Sequence, residues 1–258
     1  GVTNAGAAYI FEKGSGWTTG TEVAKLTASD KASSDQFGWS VSISGDGSTA
    51  IVGAYLEDAS GVSNAGAAYI FEKGSGWTDG TEDAKLTASD KASSDQFGRS
   101  VSISGDGTTA IVGAYLEDPS GVTNAGAAYI FEKGSGWTSG IEVAKLTASD
   151  KASSDQFGIS VSISSDGSTA IVGAYRKDPS GVTNAGAAYI FDTSKIELII
   201  PIAPVFQENP YPEPELRNIA TTLTASEEGI MQVSIDPGDK IKQSIDLRER
   251  IKLGLGLE

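Results

Sequence analysis

The sequence predicts an all-β protein built from a repeat, and three observations carry that reading. The stretch Phe37-Gly38-Trp39-Ser40-Val41-Ser42-Ile43-Ser44-Gly45-Asp46-Gly47-Ser48-Thr49-Ala50-Ile51-Val52-Gly53-Ala54-Tyr55 returns from Phe97 to Tyr115 and from Phe157 to Tyr175, each copy 60 residues after the last. Within each copy, apolar residues alternate with small or polar ones along short runs, the period-two signature of strands. No run carries the spacing of an amphipathic helix. A fixed period of this length decides the architecture before any single residue does.

Taken in order, Gly1–Phe11 starts with a turn-forming Asn4 and leads into Ala8-Tyr9-Ile10-Phe11, whose side chains alternate as a strand would place them. Gly14 and Gly16 break it before Trp17. Glu22 to Ala28 reads as a half-buried strand, with Ala24, Leu26 and Ala28 facing in and Lys25 and Thr27 facing out. Ser29 to Gln36 is a polar loop. In the next strand one face carries Phe37, Trp39, Val41 and Ile43, while the other is slim: Gly38, Ser40, Ser42 and Ser44. Such a face lets a neighbouring layer come close. Gly45-Asp46-Gly47 is a tight turn. Thr49 to Tyr55 is apolar on both faces, so both should be buried. The loop Leu56 to Asn64 follows, and the unit starts again.

Each unit thus holds four short strands, graded from apolar to half-polar. That gradient suits a four-stranded antiparallel blade with a buried inner edge, and blades set radially make a β-propeller. A solenoid of stacked hairpins is the alternative, though this period is long for a solenoid coil. The aromatics Tyr9, Phe11, Phe37 and Tyr55, with their repeats, are assigned to packing between blades. Trp17, Trp77 and Trp137 are expected to cover the outer end of each blade, partly exposed.

With Phe-Gly at 37, Asp-Gly at 46 and Gly-Ala-Tyr at 53, three times over, the chain resembles the FG-GAP repeat. That repeat builds the β-propeller of integrin alpha subunits and of many bacterial and marine surface proteins. The resemblance spans about residues 1–195 and implies blades from Phe37 to Asp90, from Phe97 to Asp150 and from Phe157 onward. Gly1 to Asp30 would be the outer half of an earlier blade. This makes a partial ring of about three and a half blades where propellers close with about four to eight. Upstream repeats, a second copy of the chain or the C-terminal segment could complete it.

After Phe191 the repeat decays. Lys195 to Ile202 is isoleucine-rich and could form the outer strand of the last blade. Asn209-Pro210-Tyr211-Pro212-Glu213-Pro214 reads as an extended linker. Ile219–Thr224, Ile230–Ile235 and Lys240–Ile245 are strand-like, with a turn at Asp236–Asp239, and Asp246–Leu253 fits a short helix or a strand. The expected division is propeller blades over 1–202, linker over 203–218 and a small β-rich element over 219–258.

The inventory narrows function. The 258 residues contain no cysteine and no histidine, so disulfides, imidazole–nucleophile pairs and thiolate or imidazole zinc sites are absent. A Ser–Lys or two-carboxylate mechanism survives in principle. Yet nearly every acid of the repeats has a twin 60 residues away, whereas one active site needs one unique arrangement; no enzyme is expected. A formal charge of −15 disfavours nucleic acid and anionic lipid as partners. Ile196 to Phe206 is too short and too interrupted by Glu197, Pro201 and Pro204 to span a bilayer. With no signal peptide and Met231 as the single methionine, the chain reads as a mature product or part of a longer one. Gly14-Ser15-Gly16 lacks the Lys and helix of a phosphate loop.

The resemblance raises calcium, which the family often holds in a turn of the form Asp-x-Asp/Asn-x-Asp-Gly-x-x-Asp. Aligning Asp46-Gly47 on it puts Ser42, Ser44 and Ala50 on the other acidic positions, and the later blades do the same. Asp46, Asp106 and Asp166 are therefore read as turn residues, weak metal candidates at most, and no cofactor is expected. The positions that differ between copies could give the scaffold a distinctive face, since loops on a rigid frame are the usual binding surface. The rim candidates are Asp35, Asp95 and Asp155; Trp39 and Arg99; Glu57 and Asp58; Glu117 and Asp118; and Arg176, Lys177 and Asp178. In the resembled family the loops holding these emerge on the ligand-meeting rim. The expected protein is an acidic, extracellular or cell-surface binding or adhesion module for a protein or glycan. The alternatives are the non-catalytic propeller portion of a carbohydrate-active enzyme and a structural spacer.

Overall fold

The computed structural model describes residues 1–14, 20–74, 76–77, 81–193, 222–225, 230–234 and 244–246. They form two compact units, Gly1–Ile200 and Pro201–Glu258. The first is all-β, a partial β-propeller. Its strands are β1 (Ala8–Ile10), β2 (Ala24–Leu26), β3 (Ser40–Ile43), β4 (Thr49–Ala54), β5 (Ala67–Glu72), β6 (Ala84–Leu86), β7 (Phe97–Ile103), β8 (Thr109–Ala114), β9 (Ala127–Glu132), β10 (Ile141–Leu146), β11 (Phe157–Ile163), β12 (Thr169–Ala174) and β13 (Ala187–Asp192).

Two blades are complete antiparallel meanders, β3-β4-β5-β6 and β7-β8-β9-β10. A third holds β11-β12-β13, and β1-β2 is an outer strand pair ahead of the first. The described helical turns are short 3-10 pieces such as Pro119–Gly121 and Trp137–Ser139. In the second unit β14 (Thr222–Ala225), β15 (Ile230–Ser234) and β16 (Ser244–Asp246) form one antiparallel sheet. The expected linker over 203–218, the strand over Lys195–Ile202, the turn Asp236–Asp239 and most of Asp246–Leu253 lie outside the described residues.

The second strand of each blade is the spine. β4 and β8, apolar on both faces, are buried on both sides apart from half-buried Thr109. Between blades the core repeats: Ile51, Ala68, Ile70 and Leu86 of the first pack on Phe97, Val101, Ile103, Val112 and Tyr129 of the second. Ile111, Ile130 and Leu146 then pack on Phe157, Ile163 and Val172. Phe97 meets Tyr129 and Phe131 edge-on at 5.6 and 5.8 Å, and Phe157 repeats this with Tyr189 and Phe191. Burying one such ring is worth roughly 1.5–3 kcal/mol.

Glycine sets how close blades come. A Cβ on Gly53 would lie 2.0 Å from the carbonyl oxygen of Gly98, and one on Gly113 equally near that of Gly158. Into this narrow space the Ser40 hydroxyl donates to Gly98 O and the Ser100 hydroxyl to Gly158 O, each at 2.8 Å. The slim serine face of the first strand is therefore the face that bonds the next blade.

Two expectations are corrected. Trp77 and Trp137 are buried, not partly exposed. The Trp137 indole N–H donates to Gly107 O at 3.0 Å, so the ring plugs the end of the blade and its polar atom is satisfied. Trp17 lies outside the described residues. Tyr55, Tyr115 and Tyr175 do not fill a core as Tyr69 and Tyr129 do; they stand at the rim, because each follows the last paired residue of its strand.

Candidate functional site

The rim residues divide into those that hold the fold together and those left facing outward. Asp35, Asp95 and Asp155 are buried, and a carboxylate oxygen of each accepts from the backbone N–H three residues earlier, at Ala32, Ala92 and Ala152. Asp58, Asp118 and Asp178 are exposed but cap their own loops, accepting from the N–H of Asn64, Asn124 and Asn184. Those asparagines adopt positive φ near 50°, a conformation that Asn tolerates well.

Glu57 and Glu117 are also interior. Lys85 on β6 donates to Glu57 Oε1 at 2.7 Å and to Asp30 Oδ2 at 2.6 Å, while the Tyr69 hydroxyl donates to Asp30 Oδ1 at 2.9 Å. Asp30 lies in the turn that follows β2, so the cluster straps the outer pair to the first blade. Lys145, Glu117, Asp90 and Tyr129 repeat the strap one blade on. Burial alone would raise Asp30 and Asp90, but the bonds from lysine and tyrosine outweigh it and lower both. Burial wins for Glu57 and Glu117, which are raised despite the lysines; each also keeps a second carboxylate oxygen buried with no partner.

In the third blade the glutamate position holds Lys177; the residue 60 after Lys145 in the sequence is Val205, outside the described residues. Lys177 is buried, bonds Asp155 Oδ2 at 3.0 Å and the backbone oxygen of Asp150, and lies 3.4 Å from Asp150 Oδ2. Lys177 therefore belongs to the strap rather than to the surface.

What remains outward is an aromatic row with two arginines. In β7 the register slips between Phe97 and Ser100, and this bulge carries Arg99 out of the ladder to the rim. Its guanidinium lies 4.2 Å from the Trp39 ring centre, 4.9 Å from Tyr55 and 5.6 Å from Tyr115. Trp39 meets Tyr55 edge-on at 4.9 Å, and Arg176 stacks 5.3 Å from Tyr175. Trp39, Tyr175 and Arg176 are exposed; Tyr55, Arg99, Tyr115 and Ile159 are half-buried. Burial first of all pushes the Tyr115 hydroxyl up, so it stays protonated at neutral pH. Among the described residues neither arginine makes an ion pair or a side-chain hydrogen bond, although the chain carries −15. The row was half legible: Trp39, Arg99 and Arg176 stood out by differing between copies, whereas the invariant tyrosines did not.

Asp46, Asp106 and Asp166 sit in the turns between first and second strands. Asp46 accepts from the Ser44 hydroxyl and from the N–H and hydroxyl of Ser48, and these bonds pull it down to about 2; Asp166 is held likewise. The three turns line an open depression of about 850 Å³. Among the described residues no group of three or more acids is placed to hold a metal ion.

The FG-GAP repeat family matches residues 20–71, 81–131 and 141–191, more than half of the chain. This protein belongs to the FG-GAP repeat family. Each matched span begins at the outer strand of one blade and ends at the third strand of the next, so the FG-GAP repeat and the blade are out of phase. Among solved structures, this FG-GAP chain is similar to hydrazine synthase of Kuenenia stuttgartiensis at 14% identity and a TM-score of 0.42, over 70% of this chain and 39% of that one. It is also similar to U3-55K at 11% identity and a TM-score of 0.38, over 61% of this chain and 39% of that one. The chain thus spans about two fifths of either length. No curated protein matches its sequence. No helix among the described residues is long and apolar enough to cross a membrane.

Proposed function

We propose that this FG-GAP protein is a non-catalytic binding or adhesion module, working outside the cell or at its surface, whose aromatic rim meets a protein or glycan ligand. One observation carries the reading: the Arg99 guanidinium lies among the rings of Trp39, Tyr55 and Tyr115, with no carboxylate paired to it among the described residues. Stacking fixes the plane of the guanidinium while leaving its N–H edges free, the geometry for bidentate capture of a carboxylate. Trp, Tyr and Arg are also the residues that dominate binding energy at interfaces. Nucleic acid and membrane insertion are not part of the proposal: the net charge opposes the first, and no helix among the described residues is long and apolar enough for a helical span.

The test is an array of glycans and proteins probed with the whole chain and with Arg99→Ala and Trp39→Ala. The expected result is a bound class that both variants lose by tenfold or more while melting as the parent does. Silence across the array from a folded chain would favour a structural spacer.

A further inference from the structure

The middle blade narrows what the rim can hold. Arg99 belongs to β7, whose blade packs against β3 and β4 on one side and β11 on the other, so its surroundings lie within the described repeats. Trp39 and Tyr55 reach its guanidinium from the first blade and Tyr115 from its own. No carboxylate among the described residues of these blades pairs with it, although the chain carries −15. The rings hold the guanidinium without using its five N–H donors.

One hydrogen bond of the repeat is also unmade at this place. In the first blade the Tyr55 hydroxyl donates to Gln36 Oε1 at 2.9 Å. In the middle blade the Tyr115 hydroxyl bonds nothing among the described residues, and Gln96 Oε1 is buried with no partner. The backbone N–H of Arg99 donates to Gln96 O at 3.3 Å, which ties the guanidinium to the same loop end. Burial, the largest influence on the Tyr115 hydroxyl, raises it, while Arg99 and Arg176 both act the other way; both cations are therefore close to that oxygen. A half-buried hydroxyl with no acceptor is costly until something takes its hydrogen bond. An oxyanion suits both needs at once.

We propose that this corner of the rim, Arg99 with the Tyr115 hydroxyl, takes the carboxylate of an acidic sugar carried on an otherwise neutral glycan. The inference rests on the rim being a binding surface. The guanidinium fork donates two parallel bonds to the two carboxylate oxygens, and Tyr115 donates a third to one of them. The net charge opposes a densely charged polymer, so an isolated carboxylate on a neutral body is the better fit. The surface around it consists mainly of tyrosine rings with polar tips, at 55, 115 and 175. That mixture of apolar face and hydroxyl suits a hydroxylated sugar ring, whereas an apolar peptide side chain anchors in a pocket.

Calorimetric titration of the whole chain tests this. The probes are the methyl glycosides of glucuronic, galacturonic and mannuronic acid, each beside its neutral methyl ester. At least one acid should bind about tenfold or more tightly than its ester, since the ester loses the charge-assisted bonds. Arg99→Ile installs the residue that the third blade carries at Ile159, a change the repeat already tolerates. It should abolish the preference for acid over ester while melting as the parent does. Arg99→Lys keeps the charge but not the fork and should lose part of the preference. Tyr115→Phe should weaken the acid about threefold to tenfold through one lost bond. No acid preferred over its ester overturns the inference, and so does a preference that survives Arg99→Ile. A rim that prefers no sugar acid, yet holds an acidic peptide or a neutral ligand in a manner dependent on Arg99, overturns the sugar assignment and leaves the binding module standing. Silence toward every probe and across the array removes both.

Discussion

The second and third blades place a lysine ammonium beside equivalent aspartates, Asp90 and Asp150, from different elements of the fold. In the second it comes from Lys145 on the outer strand and meets Asp90 and Glu117; in the third it comes from Lys177, in the loop after β12, and meets Asp150 and Asp155. The tyrosine partner is kept: Tyr129 bonds Asp90 and Tyr189 bonds Asp150. What the fold needs is one cation under that aspartate, and the element that supplies it is free to change. Burial would lower Lys177, but Asp155 and Asp150 outweigh it and keep the ammonium charged.

The sharpest way to break this equivalence is to restore the repeat's own residue. Lys177→Glu sets a second buried carboxylate beside that of Asp155, with the exposed Asp150 close by and no cation among the described residues, and should cost about 3–5 kcal/mol in denaturant unfolding. A loss under about 1 kcal/mol would mean the strap contributes little. Next in size is the contrast between blade faces. Ile130→Ala should cost roughly 2–5 kcal/mol, whereas Ile190→Ala, bare in the single chain, should stay within about 0.5 kcal/mol when measured on monomer. Smaller again, Gly113→Ala should cost about 1–3 kcal/mol through its clash with Gly158 O, and Gly173→Ala clearly less.

The smallest effect is expected from the turns. Asp46 and Asp166 are depressed to about 2 from the usual carboxylate value, so they bind protons less readily folded than unfolded. Their contribution is full above about pH 4 and fades as pH falls toward 2. Across that window the melting temperature should drop, and Asp46→Asn with Asp166→Asn should drop less; equal falls would remove the turns from the account.

Much of the fold could be read from residues alone, because it is written in local patterns. The doubly apolar run Thr49–Tyr55 announced a strand buried on both sides, which holds as far as Ala54, and the serine face of the first strand announced a close neighbour. The candidate site was harder. Lys177 looked like a rim charge because its partners lie 22 and 27 residues away, and nothing near it in sequence says they are there. Trp137 looked exposed after its glycines because its acceptor, Gly107, is 30 residues off. The rim tyrosines were assigned to packing since repetition marks core and surface positions alike. Chemistry carried by contacts between distant positions leaves no local periodicity to detect.

The one-strand offset between matched repeat and sheet also bears on how such a chain can change length. Every span ends on the third strand of one blade and begins on the outer strand of the one before. Recombination that adds or deletes one span therefore cuts two neighbouring sheets between their third and outer strands and joins three strands of one to the outer strand of the other, so each remaining sheet keeps its full set of strands. Copy number can drift through gene-level slippage without ever producing a broken unit in the interior.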